Sequence, residues 1–518
     1  MPKKQTTALG SPESLSTTNA SKQFGITESM QKVVDKLSGL PNAVICFFGN
    51  PYIVETFEKF QKFHAIILAY EDTYLPQYFA AQSIFGANSF MGKLPVSVAD
   101  KFNAGKGIRL IQNQALKLTL PEAVIKNDDP LTKIDSIIKS SIADSIFPGC
   151  QVLAAQNGKV FYNRAFGNPV YGDTTKVKVT DLYDIASVTK ISATALAAMW
   201  LFERRQLDMS AKVSKYLHEL LHTNKANIKV GDMLAHQAGL QPWIPFYKNT
   251  LVDGKVSNLL YRKSKDDIFS IEVADSLWLR EDYLNKIWDE IVKSPVTANG
   301  QYIYSDLGLI ILQRIIERIT HEKLDQFVVK KFYEPMGVWR TTFHPLEKFR
   351  LNEVIPTEND TVFRGQLIQG YVHDPGAAMM GGVAGHAGLF SSAQSLSIII
   401  SMLLNGGEYN GKRYLKESTV NYFTSQAFPE SKNRRGFIFD KPDSMGEQSP
   451  AARSASSMAF GHSGFTGTCA WADPQNGFIY IFLSNRVFPS AANNKLAKKN
   501  IRTEIMELFY DALKEKTN

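Results

Sequence analysis

Apolar and polar positions along this chain fall into a few clear periods. In "CQVLAAQNGKVFYNRAFG" (150–167) two apolar runs meet at Asn157-Gly158, a dipeptide that accepts positive φ at both central turn positions, so the pattern predicts a β-hairpin. "GTCAWADPQNGFIYIFLSNR" (467–486) repeats strand, turn and strand near the other end. "LTKIDSIIKSSIADSI" (131–146) and "IRTEIMELFYDALKE" (501–515) space their apolar residues as amphipathic helices do. Between these ends, Val188 to Phe202 is apolar on nearly every side and free of Gly and Pro, which predicts a helix buried in the middle of a domain. Hairpins from both ends with helices between them imply an antiparallel sheet built from the chain's termini and flanked by helices, an α+β fold.

Ahead of this region the pattern changes. "PNAVICFFGNPY" (41–52) and "HAIILAYE" (64–71) read as short buried strands and "YLPQYFAAQSIFG" (74–86) as a helix, so residues 26–125 form a small layered α/β unit. Residues 1–25 are a polar Ser, Thr, Lys and Gly lead, and "LPEAVIKNDDPLTK" is a charged linker into a domain running from 130 to 518.

The chain has 518 residues and is 44% hydrophobic, enough for a large core in more than one domain. Its net charge of +8 is spread thinly, with no basic block of the kind that binds nucleic acid, so no nucleic-acid partner is expected. Cys46, Cys150 and Cys469 are odd in number and far apart, which argues for buried fillers and against a disulfide framework or Cys-rich metal site. The polar lead lacks the apolar core of a signal peptide, and no segment is long and apolar enough to span a membrane.

Two patterns compete for the chemistry. "YLHELLH" (216–222) contains His-Glu-x-x-His, which on a helix sets His218 and His222 one turn apart with Glu219 beside them, as in zinc peptidases. A catalytic zinc needs a third protein ligand, and the following "TNKANIK" has no His, Asp or Glu. The pair then reads as ordinary residues of an amphipathic helix, with no metal or other cofactor expected. The second pattern is Ser187-x-x-Lys190 in the first turn of the buried helix. Ser29/Lys32 and Ser136/Lys139 repeat that spacing, but Lys190 alone enters a helix with almost no polar face. An ammonium buried there must be paired, or partly neutral and able to act as a base.

"IASVTK" (185–190), "HQAGL" (236–240), "YSDLG" (304–308), "GGVAGHAGLFSS" (381–392) and "GHSGFTG" (461–467), taken in order, resemble the serine β-lactamase and penicillin-recognising superfamily. The resemblance is greatest to its class C-like branch of D-alanyl-D-alanine carboxypeptidases and esterases. It implies a β-lactamase/transpeptidase-like fold with a mostly helical subdomain, in which Gln241–Asn299 is an insertion or lid next to the site. It further implies that Ser187 is the nucleophile, that Lys190 takes its proton, and that Tyr304 is a second base or the shuttle to the leaving group. His462, Ser463 and Gly464 match the family's strand motif, with His462 giving a hydrogen bond or positive charge to a substrate carboxylate. The N–H groups of Ser187 and Phe465 form the implied oxyanion hole. His386 is expected to order a loop and His236 to orient backbone. Asp306 departs from the family's Tyr-x-Asn; it either caps the helix "LGLIILQRIIERI" or faces Lys190 or a cationic group on the substrate. The implied activity is hydrolysis through an acyl-enzyme, on D-amino-acid peptides of peptidoglycan at the cell envelope. A carboxylesterase, a β-lactamase and a non-catalytic penicillin-binding sensor are the alternatives.

"FGNPY", "LAYE" and "GKLPVS" in the N-terminal unit resemble the later part of the second, sandwich-like domain of family-three glycoside hydrolases. That family's catalytic barrel is not in this sequence. A partial sheet of this kind implies a truncated gene or an unseen partner, such as a glycoside hydrolase domain missing from this chain.

Overall fold

The structure, a computed structural model, describes residues 24–98, 100, 102–111, 115–297, 300–443 and 449–514. Residues 1–23 of the polar lead, and Ala298 and Asn299 at the end of the expected insertion, lie outside the described residues. The chain divides into two compact units, Met1–Lys117 and Leu118–Asn518.

In the first unit, helix α1 (Glu28–Leu37) starts at Thr27, whose hydroxyl accepts from the Met30 N–H at 3.2 Å. Strands β1 (Val44–Phe47) and β2 (Ala65–Leu68) pair in parallel from Val44 opposite Ala65, and helix α2 (Tyr74–Ile84) follows. Val34, Phe47, Ile53, Val54, Phe57, Phe60 and Phe63 make the core. The strands were expected to be buried, yet most of their residues are only half-covered, because among the described residues this sheet has two strands, each of them an edge.

The second unit opens with α3 (Asp129–Ala143), whose Leu131, Ile134 and Ile138 recur on one buried face. Strands β3 (Gly149–Gln156) and β4 (Lys159–Gly167) form the expected hairpin, with φ of 49° at Asn157 and 76° at Gly158. The expected strand-turn-strand near the C-terminus is also present. Its sheet includes, in spatial order, β5 (Phe460–Ser463), β6 (Cys469–Asp473), β7 (Phe478–Ser484), β3 and β4, every neighbour antiparallel. The β7–β3 pairing therefore joins the two ends of the unit. Val152, Ala154, Trp471, Tyr480 and Phe482 bury one face of this sheet with α3 and with Phe509 of the closing helix (Ile501–Leu513). Ile125 enters that same core, so the stretch read from sequence as the tail of the N-terminal unit packs here.

The helical half is threaded between β4 and β5. Its central run is buried at every residue from Val188 to Met199, as the apolar pattern requires. It is not one regular helix: a tight turn at Ala186–Val188 leads into a wide π turn at Lys190–Thr194 and then α4 (Ala195–Glu203). The Tyr333 hydroxyl donates to the Ser192 carbonyl at 2.8 Å inside that wide turn. Helix α5 (Leu307–Thr320) packs beside it. The segment "HELLH" is not the amphipathic helix its spacing suggested, since only a short turn forms at His218–Leu220. Glu219 is instead held by Arg314 at 3.2 Å and Arg318 at 2.9 Å, both from α5. Among the described residues no helix is long and apolar enough to cross a membrane.

Two outcomes follow from this packing. A protein beginning at Leu118 should unfold cooperatively, whereas one beginning at Pro130 should be less stable by about 2 kcal/mol in urea denaturation, through loss of Ile125 from the core. Strong chelators should leave activity unchanged, and His218→Ala should shift stability by less than about 1 kcal/mol; zinc-dependent recovery of activity would contradict this.

Candidate active site

Ser187 sits in the tight turn ahead of the π turn, just after Ala186, which adopts a φ of 45° that side chains other than glycine's seldom take. Asp184 secures this turn: one carboxylate oxygen accepts from the Ala186 N–H at 2.8 Å and the other from the His373 N–H at 2.6 Å. The turn between β5 and β6 is laced to the same backbone. Thr466 donates to the Asp184 carbonyl at 2.8 Å and Thr468 to that of Ile185 at 2.9 Å. A Cβ on Gly464 would lie 2.6 Å from the Ile185 oxygen, so only glycine lets the end of β5 come this close. Phe465 follows directly, its ring against the His373 imidazole.

Lys190 is fully buried and its three N–H bonds have three oxygens to meet. Nζ donates to Ser187 Oγ at 2.7 Å and to the His386 carbonyl at 2.9 Å, and lies 2.7 Å from Asp306 Oδ1. Burial by itself would push this ammonium down; the Asp306 carboxylate and the Tyr304 oxygen more than offset that and hold it above its ordinary value. The Tyr304 hydroxyl donates to Ser187 Oγ at 3.2 Å, and burial pushes its phenol up despite Lys190 nearby. At rest, then, both neighbours of Ser187 keep their protons. Of the two states expected for a buried lysine, paired or partly neutral, Lys190 takes the paired one, because Asp306 faces it. Asp306 stands at the cap position of α5, but only its main-chain carbonyl serves the helix, accepting from Leu309 and Ile310.

His462 is 4% exposed. Its Nδ1 donates to the Ser463 carbonyl at 2.7 Å, and burial with Arg435 and Lys190 nearby pushes its pKa well down. The ring is therefore neutral with the proton on Nδ1, and Nε2 is an acceptor. This corrects the expectation that His462 brings a positive charge or a donor to a substrate carboxylate. A cation at the cavity beside it is Arg435, buried, 3.2 Å from Asp440 and lying over the Tyr304 ring at 5.6 Å. Nothing in "KNRRGFIFDK" separated it from a polar loop except the apolar "FIF" beside it.

His236 Nδ1 accepts from the Ser305 N–H at 3.1 Å and its ring lies 4.5 Å from that of Tyr304, so it fixes the backbone that carries Tyr304. His386 pairs through Nε2 with Asp374 at 3.0 Å, which orders the loop whose carbonyl receives Lys190. Ser187, Tyr304, Asp306, Arg435, His462, Gly464 and Phe465 line one cavity of about 800 Å³. Trp243 and Tyr247 of the expected insertion form part of its wall.

An antiparallel sheet clasping a helical half, with a serine at one cavity held by a buried lysine and a tyrosine, defines a serine hydrolase of the β-lactamase/transpeptidase type. A family model described as Beta-lactamase matches residues 134–502, and the chain belongs to that family. A relative from Salmonella gallinarum that bears the name of a D-alanyl-D-alanine carboxypeptidase is 29% identical over 413 residues, covering 74% of this chain and 89% of its own. Among solved structures, EstCE1, a hydrolase with promiscuous acyltransferase activity, aligns with a TM-score of 0.54 at 19% identity, over 73% of this chain and 99% of its own. A penicillin-binding protein homologue from Caulobacter crescentus aligns at 0.53 with 16% identity, over 74% and 98%. These structural likenesses concern the fold.

Asp306→Asn removes the anion that holds the Lys190 proton. The acidic limb of the pH–rate profile for acylation should then move down by about one to two units, since neutral lysine becomes available at lower pH. Stopped-flow acylation across pH 6–11 reads this, and an unmoved limb would exclude Lys190 as the base.

Proposed function

We propose that the enzyme cleaves D-amino-acid peptides of the D-alanyl-D-alanine type, through an acyl-enzyme on Ser187, at the cell envelope. The observation that carries this reading is the double hydrogen bond onto Ser187 Oγ, from Lys190 and from Tyr304, inside a cavity large enough for a short peptide. Because both groups hold protons at rest, acylation waits on loss of the Lys190 proton. Ser187 Oγ then gives its own proton to Lys190 as it attacks the scissile carbonyl carbon. The Ser187 and Phe465 N–H groups receive the oxyanion, and Gly464 keeps them close together. Tyr304, in contact with Ser187 Oγ, hands a proton to the departing nitrogen, and water releases the acyl group by the reverse path. Of the arginines that line the cavity, Arg364, Arg435 and Arg502, we assign Arg435, which lies over the Tyr304 ring, to a terminal carboxylate.

A second reading, a carboxylesterase, is supported by the aromatic wall of Trp243, Tyr247 and Phe363, which suits an apolar acyl group.

A fluorescent penicillin should label Ser187, and Ser187→Ala should abolish labelling and reduce turnover at least about 1,000-fold. An adduct mapped by mass spectrometry to another residue would overturn the nucleophile. Sustained release of D-alanine separates an enzyme from a sensor, which would give one stoichiometric burst and stop.

A further inference from the structure

Phe465 carries one N–H of the oxyanion hole, and its own loop does little to hold it. Its side chain is 54% exposed, and its N–H has no partner among the described residues. Thr466 and Thr468 tie down the turn that follows it, so the supports of Phe465 itself come from elsewhere. Arg486, just beyond β7, donates from Nε to the Phe465 carbonyl at 2.9 Å and lies 4.5 Å from the centre of its ring. The His373 imidazole stacks on the same ring, with centroids 5.6 Å apart. Glu358 joins these two supports to each other. One of its oxygens accepts from His373 Nε2 at 2.7 Å and the other from the Ala491 N–H at 2.7 Å, while the Ala491 carbonyl accepts from Arg486 at 3.2 Å. The contacts therefore close a ring that starts and ends at Phe465. Through His373 this ring also reaches the nucleophile, because the His373 N–H donates to Asp184, whose other oxygen holds Ala186 beside Ser187.

We propose that Glu358 and His373 are positioning residues for the oxyanion hole: together they fix the Phe465 N–H relative to the turn of Ser187. The proposal rests on the acyl-enzyme reading above and goes beyond it, since neither residue belongs to the motifs that carry that reading. An oxyanion hole stabilises developing charge only when its donors stand roughly 3 Å from where the oxygen will be, so an unclamped Phe465 would weaken it. His373 is the hinge of the arrangement, with its main chain on the nucleophile's side and its ring on the side of Phe465. Both residues line the cavity, yet the Glu358 oxygens and His373 Nε2 are already engaged with protein partners. Nor is the Glu358 side chain needed to dock its hairpin on the loop after β7. The Asn359 N–H donates to the Pro489 carbonyl at 3.0 Å, and the Asn485 side chain donates to that of Pro356 at 2.8 Å.

The test uses two probes on the full chain. Saturation kinetics of fluorophosphonate labelling at Ser187 separate the maximal rate from the half-saturating concentration. Phenylboronic acid forms a tetrahedral adduct whose oxygen sits in the hole, so its affinity reads complementarity to the transition state. His373→Ala should lower the maximal labelling rate by about 10- to 100-fold and weaken the boronic acid by a similar factor, with half-saturation within about twofold of wild type. Glu358→Ala, which opens the ring of contacts, and His373→Phe, which keeps the stacked ring but loses Glu358, should each lower both by at least about fivefold. Partial misfolding changes the amplitude of labelling and not its rate constant, and if His373→Ala does not fold the other two variants carry the same reading. Maximal rates within about threefold of wild type in the folded variants overturn the proposal. So does a loss confined to half-saturation, or a slower rate with boronic acid affinity unchanged; in all these cases a labelled wild-type Ser187 leaves the acyl-enzyme reading standing. Failure of both probes on the wild type removes that reading and this proposal with it.

Discussion

The site is organised around one buried ammonium. An unpaired lysine in an apolar helix would be too costly to keep charged, so the fold must deliver oxygens to Lys190 from wherever the chain can supply them. Three separate segments do so: the turn of Ser187, the head of α5 at Asp306 and the loop at His386. Each arrives by its own packing constraint. A Cβ on Gly385 would sit 2.2 Å from the Leu309 oxygen, so the loop reaches Lys190 only because that residue has none. The wide π turn and the left-handed Ala186 belong to the same arrangement, since they place Ser187 and Lys190 against each other at the start of an otherwise regular helix.

The same pairing sets the chemistry. A lysine that has a carboxylate beside it is well paired but reluctant to take a proton, so Asp306 makes Lys190 stable as a structural cation at the expense of its strength as a base. His462 is governed by the opposite balance. It is buried, with Arg435 and Lys190 adding to the effect of burial, and therefore stays neutral.

Much of this was legible in the residues. Periodicity identified both hairpins, the two flanking helices and the buried run after Ser187, because each of those elements buries one consistent face or is buried on all sides. The order of the motifs picked Ser187, Lys190, Tyr304 and His462, which the fold brings together: Ser187, Tyr304 and His462 line one cavity, and Lys190 lies buried against Ser187. Three things were not legible. The spacing in "HELLH" suits a helix, but Glu219 turns to two arginines nearly a hundred residues away, a tertiary contact that no local period reports. Arg435 lies in a stretch whose polarity looks like a loop, and only its burial beside Tyr304 marks it. The state of His462 depends on one hydrogen bond to its neighbour's carbonyl, which sequence cannot orient.

The joining of β3 to β7 bears on how the protein is made. The side chain of Gln156, at the end of β3, donates to the Asn476 carbonyl 320 residues further along, and the strands beside it pair over the same span. During synthesis the first hairpin emerges early and its inner edge stays unpaired until nearly the whole chain has left the ribosome. The catalytic half is thus released into the cell as a long loop whose ends have not yet met. Closing it is a late, non-local step and a slow one, so the nascent chain is exposed to aggregation and to chaperones for most of its translation.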